Sequence, residues 1–268
     1  MPNAHAAPTG TRATVDAVPC AFCHSTGPLT KEHLWPLWVA RVLDISEEAT
    51  HTQRFRMAGG QGGAREFVRR PFRDKVGAVC GPCNNGWMSQ LEAQTKHYAE
   101  GMLRGRSRQL HRTGQATLAM WATVKVLVAE YTIPQDMRLI PASHYTLVYE
   151  ARHNFELPGA TEVHTAAYAD RRRPGFYDRT GMTLHMTDNV TGEHRESDAY
   201  VATFAAGPLA LRVFGHTVPE PVHIGFRGPL AKSVMRIWPS EGSFTWPPGR
   251  PLDDAGLGWF STPPAAAS

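Results

Sequence analysis

Four cysteines form two closely spaced pairs, Cys20-x-x-Cys23 and Cys80-x-x-Cys83. A gap of two residues lets both sulfurs of a pair reach one ion at about 2.3 Å, and two such pairs complete a tetrahedral site. The pairs use all 4 cysteines of the 268-residue chain. We therefore expect one closed, structural Zn²⁺ site whose binding energy contributes to folding.

Other interpretations of the cysteines explain less. Two disulfides need an oxidising compartment, and residues 1–18 contain no apolar segment typical of a secretory signal. The run from Cys20 to Cys23 and His24 also matches a c-type haem attachment site. That chemistry needs export as well, and it leaves Cys80 and Cys83 unexplained.

Further polar residues lie beside the cysteine pairs. Glu32 and His33 fall between the pairs, and Asn84 directly follows Cys83. Together with the cysteines, this order resembles the HNH (His-Me finger) endonucleases, and in particular their zinc-stapled members. In that family an acidic residue and a histidine lie on the first arm of a ββα finger, and an Asn or His follows the last zinc cysteine. The resemblance covers roughly residues 17–105.

The resemblance implies a metal-dependent phosphodiesterase. It makes His33 the general base, because a neutral imidazole can take a proton from water near pH 7. It makes Glu32 and the side-chain carbonyl of Asn84 the ligands of Mg²⁺ or Mn²⁺, which prefers oxygen and neutralises developing charge. Glu32 stands where the family has Asp, and Asp74 is the candidate for the family's middle Asn. Taken alone, each short motif is common, so the resemblance depends on their order around the cysteines.

Basic residues flank the proposed site. Residues 54–75 contain seven Arg or Lys and only two acidic residues, and more arginines follow residue 103. Such clusters suit contacts with phosphates, which give affinity without sequence information. If either cluster is considered alone, the alternative interpretation is a solvated surface that binds no phosphate. The candidate nucleic-acid contacts are Arg69, Arg70, Arg73, Arg104 and Arg106.

The overall composition is that of an ordinary globular protein, with 42% hydrophobic and 19% charged residues and a net charge of +4. This mildly basic balance tolerates an anionic partner without requiring one. No run approaches the roughly 20 apolar residues of a membrane span. We therefore expect a cytoplasmic protein that does not act at a membrane, and the resemblance implies that its partner is nucleic acid, most directly double-stranded DNA.

Hydrophobic periodicity predicts the elements that position these residues. Helices are predicted at 35–43, 86–104 and 115–131, and the last of these is apolar nearly all round. From residue 144 onward, short runs between Gly, Pro and Asn turns are typical of strands. The predicted strands lie at 145–149, 162–165, 182–186, 199–204, 210–214 and 234–238.

The predicted fold class is α+β, with an N-terminal ββα-metal finger stapled by a four-cysteine zinc site, a helical connector and a C-terminal, mainly antiparallel β domain. A basic insertion has to fold out of the finger, because the stretch between Glu32 and Cys80 is long. The segments are a disordered N-terminus (1–16), the finger (17–112), the connector (113–139), the β-rich domain (140–260) and a disordered tail (261–268).

Three functions fit this organisation. The first is a metal-dependent endonuclease that acts on DNA. The second is a non-catalytic, zinc-stapled nucleic-acid-binding protein, in which Glu32 and His33 are structural. The third is an adaptor whose β-rich domain binds another protein. Metal-dependent cleavage of plasmid DNA distinguishes the first from the other two, and salt-sensitive binding without cleavage supports the second.

Overall fold

A computed structural model describes residues 18–45, 49–69, 74–157, 159–170, 175–187 and 191–263. The predicted disordered segment 1–16 and most of the predicted tail lie outside these ranges, although Ser261 still belongs to a helix. The strands are β1 (Leu29–His33), β2 (Ala49–Arg56), β3 (Gly62–Arg69), β4 (Lys75–Cys80), β5 (Arg108–Leu110), β6 (Thr161–Ala167), β7 (Phe176–Thr187), β8 (His194–Ala206), β9 (Leu209–His216), β10 (Val234–Trp238) and β11 (Phe244–Trp246). The helices are α1 (Leu37–Leu43), α2 (Gly81–Cys83), α3 (Ser89–Leu103), α4 (Arg112–Ala129), α5 (Ala142–Glu150) and α6 (Asp254–Ser261).

The N-terminal part has the predicted ββα order. β1 pairs antiparallel with β4, so that Glu32 lies opposite Val76 and His33 opposite Lys75. The chain then passes through the short α2 and a π-helical turn at Asn84–Met88 into α3. The helix predicted over 86–104 is therefore confirmed, and its regular part begins after the turn.

The segment between β1 and β4 folds out of this finger, as its length requires. After α1, strands β2 and β3 form an antiparallel hairpin whose turn contains Gly59 and Gly60. In this turn Met57 N–H donates to the Gln61 carbonyl at 2.6 Å, and Gly60 has a φ of 80°, which favours glycine. β2 also pairs in parallel with β7, so the hairpin extends the large sheet.

The large sheet has seven strands in the order β10-β6-β9-β8-β7-β2-β3, and every neighbouring pair except β2–β7 is antiparallel. Side chains alternate between its two faces. Phe204 and Leu211 lie opposite each other and belong to the core shared with the finger and α4. Ala205 and Ala210 form the next pair and pack on the other face, against α6. The sheet is thus covered on both sides.

The predicted apolar helix 115–131 is confirmed as α4, which is buried along most of its length. It lies between α3 on one side and β6, β9 and β10 on the other. Finger residue Phe22, helix residue Trp121 and sheet residue Val213 belong to one apolar core. The parts of the chain therefore pack against one another.

The strand predicted at 145–149 is wrong, because these residues lie in α5. Their aromatic and branched side chains are typical of strands. However, Tyr145 and Val148 are buried three residues apart on one helical face, and the Tyr145 hydroxyl donates to the Leu127 carbonyl of α4 at 3.0 Å. Packing against α4 decides the local structure here. The other five predicted strands lie within β6, β7, β8, β9 and β10.

Candidate functional site

The two cysteine pairs meet at one point of the finger. The four sulfur atoms of Cys20, Cys23, Cys80 and Cys83 all lie within 4.8 Å of one another. Cys23 Sγ and Cys80 Sγ are 3.5 Å apart, far beyond the roughly 2.05 Å of a disulfide. A tetrahedral ion with sulfur ligands at about 2.3 Å would hold them about 3.8 Å apart. The cluster therefore has the ligand set and spacing of a closed tetrathiolate metal site.

The secondary structure of the finger explains why these sulfurs converge. One pair lies in the turn before β1, and the other spans the end of β4 and α2, so the β1–β4 pairing brings them together. The amide N–H of Cys80 donates to Cys20 Sγ at 3.3 Å. Burial raises the pKa of the Cys20 and Cys83 thiols, so a bound cation is needed to favour their thiolates.

Asn84 is held against β1. Its side-chain amide donates to Thr30 Oγ1 at 2.9 Å, and the Thr30 hydroxyl donates to the Val79 carbonyl at 3.0 Å. This chain of hydrogen bonds ties the start of the helical segment to both strands of the finger. Asn84 therefore lies beside the first arm of the finger.

His33 ends β1 and is partly buried. Burial and the positive charge of Lys75 lower the pKa of its imidazole, although the negative charge of Glu32 opposes them. Lys75 is the residue opposite His33 across the strand pair. The imidazole is consequently neutral near pH 7, which is the state a general base requires.

Glu32 is buried and paired with a lysine of α4. Its carboxylate Oε1 accepts a hydrogen bond from Lys125 Nζ at 2.6 Å, and Glu92 Oε1 of α3 lies 2.5 Å from the same nitrogen. Lys125 Nζ also donates to the main-chain carbonyl of His33 at 3.1 Å. Burial lowers the pKa of Lys125, but the charges of Glu92 and Glu32 outweigh it and raise the pKa above its ordinary value. A buried ammonium thus joins the finger to α4.

These contacts do not fit the divalent cation expected between Glu32 and Asn84. A second positive charge at the Glu32 carboxylate would lie next to the Lys125 ammonium and be repelled by it. Among the described residues, the Asn84 side chain donates a hydrogen bond to Thr30 and forms none with Glu32. The small cavity beside Lys125 is lined by neither Glu32 nor Asn84, so it does not join these two side chains.

Sequence reasoning missed Lys125 and Glu92. A signal was present, because a lysine in the middle of an apolar, buried helix is rarely left without a charged partner. The sequence could not show which carboxylates it would meet, since Glu32 and Lys125 are 93 positions apart.

The predicted basic contacts are only partly described. Arg70 and Arg73 lie outside the described residues, and for Arg69 the structure gives only its backbone position in β3. Arg104 is partly neutralised, because Glu100 lies 3.1 Å away. Arg106 is exposed, and its side chain has no hydrogen bond or ion pair within the described ranges. Of the two whose side chains are described, Arg106 is therefore the one without a charged partner.

Comparison with models of known protein families, with curated proteins and with solved structures finds no match for this chain. In the part of the chain that the structure describes, no helix has the length and apolarity needed to cross a membrane.

Proposed function

We propose that this chain is a zinc-stapled nuclease of the HNH type, which hydrolyses phosphodiester bonds in nucleic acid, with DNA as the first substrate to test. The observation that supports it is the position of His33, a neutral, partly buried imidazole on the first arm of a ββα finger. The four-cysteine cluster closes this finger around Zn²⁺, the metal that thiolate ligands and tetrahedral geometry favour. We place the protein in the cytoplasm, because these thiols must stay reduced.

In this proposal the chain's own residues activate the water and bind the phosphate. His33 takes a proton from water, the water oxygen attacks phosphorus, and the bond to the leaving oxygen breaks as that oxygen gains a proton from solvent. Lys31 and Lys75 are exposed on the two finger strands and can contact phosphate oxygens. Glu32 acts through Lys125 as a positioning residue, because the Lys125 ammonium bonds both the Glu32 carboxylate and the His33 carbonyl.

A non-catalytic nucleic-acid-binding protein is the second candidate, and the Lys125 contacts favour it. An ammonium 2.6 Å from Glu32 occupies the place where a catalytic cation would bind. In this alternative Glu32 and His33 only stabilise the finger, and the exposed cations near it supply salt-sensitive affinity for DNA or RNA.

The deciding experiment incubates the full chain with supercoiled, linear and single-stranded DNA and with RNA, in Mg²⁺, Mn²⁺ or EDTA. We expect nicking by the wild type and a fall of about 10²–10⁴-fold in His33→Ala, the usual contribution of a general base. His97→Ala is the matched control, because His97 is exposed on α3 of the same finger. Equal cleavage by wild type and His33→Ala would overturn the assignment of the base. Binding without cleavage under every condition would establish the second candidate.

A further inference from the structure

A second feature with the character of a binding site lies on the other face of the large sheet. A groove of about 1160 Å³ runs between the 3₁₀ segment Gly228–Lys232, the residues 249–253 and helix α6. α6 packs on the sheet face that carries Ala205 and Ala210, whereas the finger and α4 cover the opposite face. The groove is therefore separate from His33.

The groove has a surplus of positive charge. Arg227, Lys232 and Arg250 line it, and all three are exposed. Their side chains form no hydrogen bond or ion pair with any residue that the structure describes. The acidic residue in the lining, Asp253, uses its carboxylate to accept the Gly256 N–H at 2.7 Å and so caps α6. The cations are consequently free to bind an anionic ligand.

An exposed aromatic ring stands among these charges. Trp259 is 70% exposed, the largest exposed fraction among the large hydrophobic side chains of the described residues. Its neighbours on α6, Leu257 and Phe260, are buried under the sheet, so the helix keeps its packing without the indole. The Trp259 ring makes no contact with another described aromatic ring. A flat, unpaired ring of this kind offers a stacking surface.

We propose that this groove binds single-stranded nucleic acid, with a base stacked on Trp259 and neighbouring phosphates bound by Arg227, Lys232 and Arg250. Proteins bind single-stranded nucleic acid with basic side chains along its phosphate backbone and with aromatic side chains on which its bases stack. A duplex offers no free base face to the indole, because its bases are already stacked on one another. The inference does not depend on cleavage at His33, since the two features lie on opposite faces of the sheet.

The test measures binding of a fluorescent oligodeoxythymidylate by anisotropy at low salt. Trp259→Leu should weaken binding about tenfold, within the range expected for one stacked base. Trp259→Phe keeps an aromatic ring and should weaken binding less. Leu147→Ala is the matched control for an exposed apolar residue, since Leu147 is 39% exposed on α5. A hairpin duplex of the same composition should bind more weakly, and Trp259→Leu should not change its affinity.

The charge variants test the second half of the proposal. Lys232→Ala and Arg250→Ala should each weaken binding of the oligonucleotide. Each should also reduce the magnitude of the slope of log K against log salt concentration by about 0.7. Arg195→Ala is the control for loss of one exposed arginine away from the groove, and it should leave the slope unchanged. Trp259→Leu should weaken oligonucleotide binding by the same factor in the wild-type and the His33→Ala backgrounds, which separates this inference from the proposed nuclease.

Three results would overturn the inference. One is the absence of measurable binding by the wild type, and another is wild-type affinity in both Trp259→Leu and Arg250→Ala. The third is selective binding of anionic phospholipid vesicles, with the same variants weakening vesicle binding but not oligonucleotide binding. That result would assign the groove to a lipid surface.

Discussion

The buried charge of Lys125 holds two carboxylates and one main-chain carbonyl together. Its ammonium lies between Glu32 and Glu92, and its side chain is only 5% exposed. A charge in such a place is tolerated because it is paired, and removal of the pairing partner leaves an uncompensated buried charge. The same nitrogen holds the main-chain carbonyl of His33, so the contact also fixes the end of β1.

The first prediction concerns this contact. Lys125→Met should destabilise the protein by about 3–5 kcal/mol, because Glu32 would remain buried without its cation. Urea unfolding measures the change. Arg104→Met is the matched control, since it removes a surface pair with Glu100 in which both side chains are 40% exposed, and it should cost at most about 1 kcal/mol. Equal stability of the two variants would contradict the buried network.

The second prediction concerns the titration of His33 in the proposed nuclease. Burial and Lys75 lower its pKa below the ordinary value of 6.5, so the imidazole loses its proton at a lower pH than usual. As pH falls through this lowered pKa, the base becomes protonated and kcat/KM should drop. The acidic limb of the pH profile should therefore lie below pH 6.5.

Lys75→Met should move this limb to higher pH, because it removes a positive charge that disfavours imidazolium. Lys31→Met is the matched control, since Lys31 is another exposed cation of the finger and is not among the groups that shift the pKa of His33. A limb above pH 6.5, or one that Lys75→Met leaves in place, would contradict the assignment.

At the scale of elements, the finger was predictable and its surroundings were only partly so. The cysteine spacing predicted that two distant chain segments meet at one metal site, and the ββα order came from the resemblance of the residues around the cysteines to the HNH family. The helix over 115–131 was predictable because it is apolar nearly all round. Residues 145–149 were not, since their local preference for a strand loses to the packing of Tyr145 and Val148 beneath α4.

Element pairing over long distances was also beyond the sequence. Nothing in the sequence of β2 indicated that it would pair in parallel with β7, about 120 residues later. For a similar reason, the sequence did not indicate that a lysine, and not a divalent cation, would pair with Glu32. Its real partner, Lys125, comes from a helix that follows the finger, and only the packing of α4 against α3 brings it there.

The third prediction addresses the metal that holds the finger elements together. The purified wild type should contain about one equivalent of zinc, and Cys80→Ser should contain well below half an equivalent, because an incomplete tetrahedron loses much of its affinity. Metal analysis of protein prepared without chelator measures both. Ser25→Ala is the matched control, since Ser25 lies next to Cys23 but supplies no ligand. Less than half an equivalent in the wild type would contradict a closed structural site.

At the scale of the whole molecule, the finger is part of the protein's main core. Trp35 follows β1 and packs on Phe204 of β8 with ring centroids 5.1 Å apart, and Trp121 of α4 packs on the same phenyl ring at 5.6 Å. Phe22, between the first two cysteines, packs on Tyr145 of α5 at 5.7 Å. Because these contacts join the metal cluster to the sheet, loss of the metal should destabilise the sheet as well as the finger.

The last prediction follows from this shared core. Removal of zinc with a strong chelator should lower the midpoint of a single thermal transition, by about 2–4 °C for each kcal/mol lost, and should not create a separate early transition. Far-UV circular dichroism, which reports the sheet, and tryptophan fluorescence, which reports Trp35 and Trp121 among others, should give the same midpoint. Cys80→Ser is the control for the chelator, because its midpoint should already be low and should not move further. If fluorescence shifts while the sheet signal keeps its original midpoint, the finger unfolds independently, and the contacts of Trp35 with Phe204 contribute little to the stability of the whole protein.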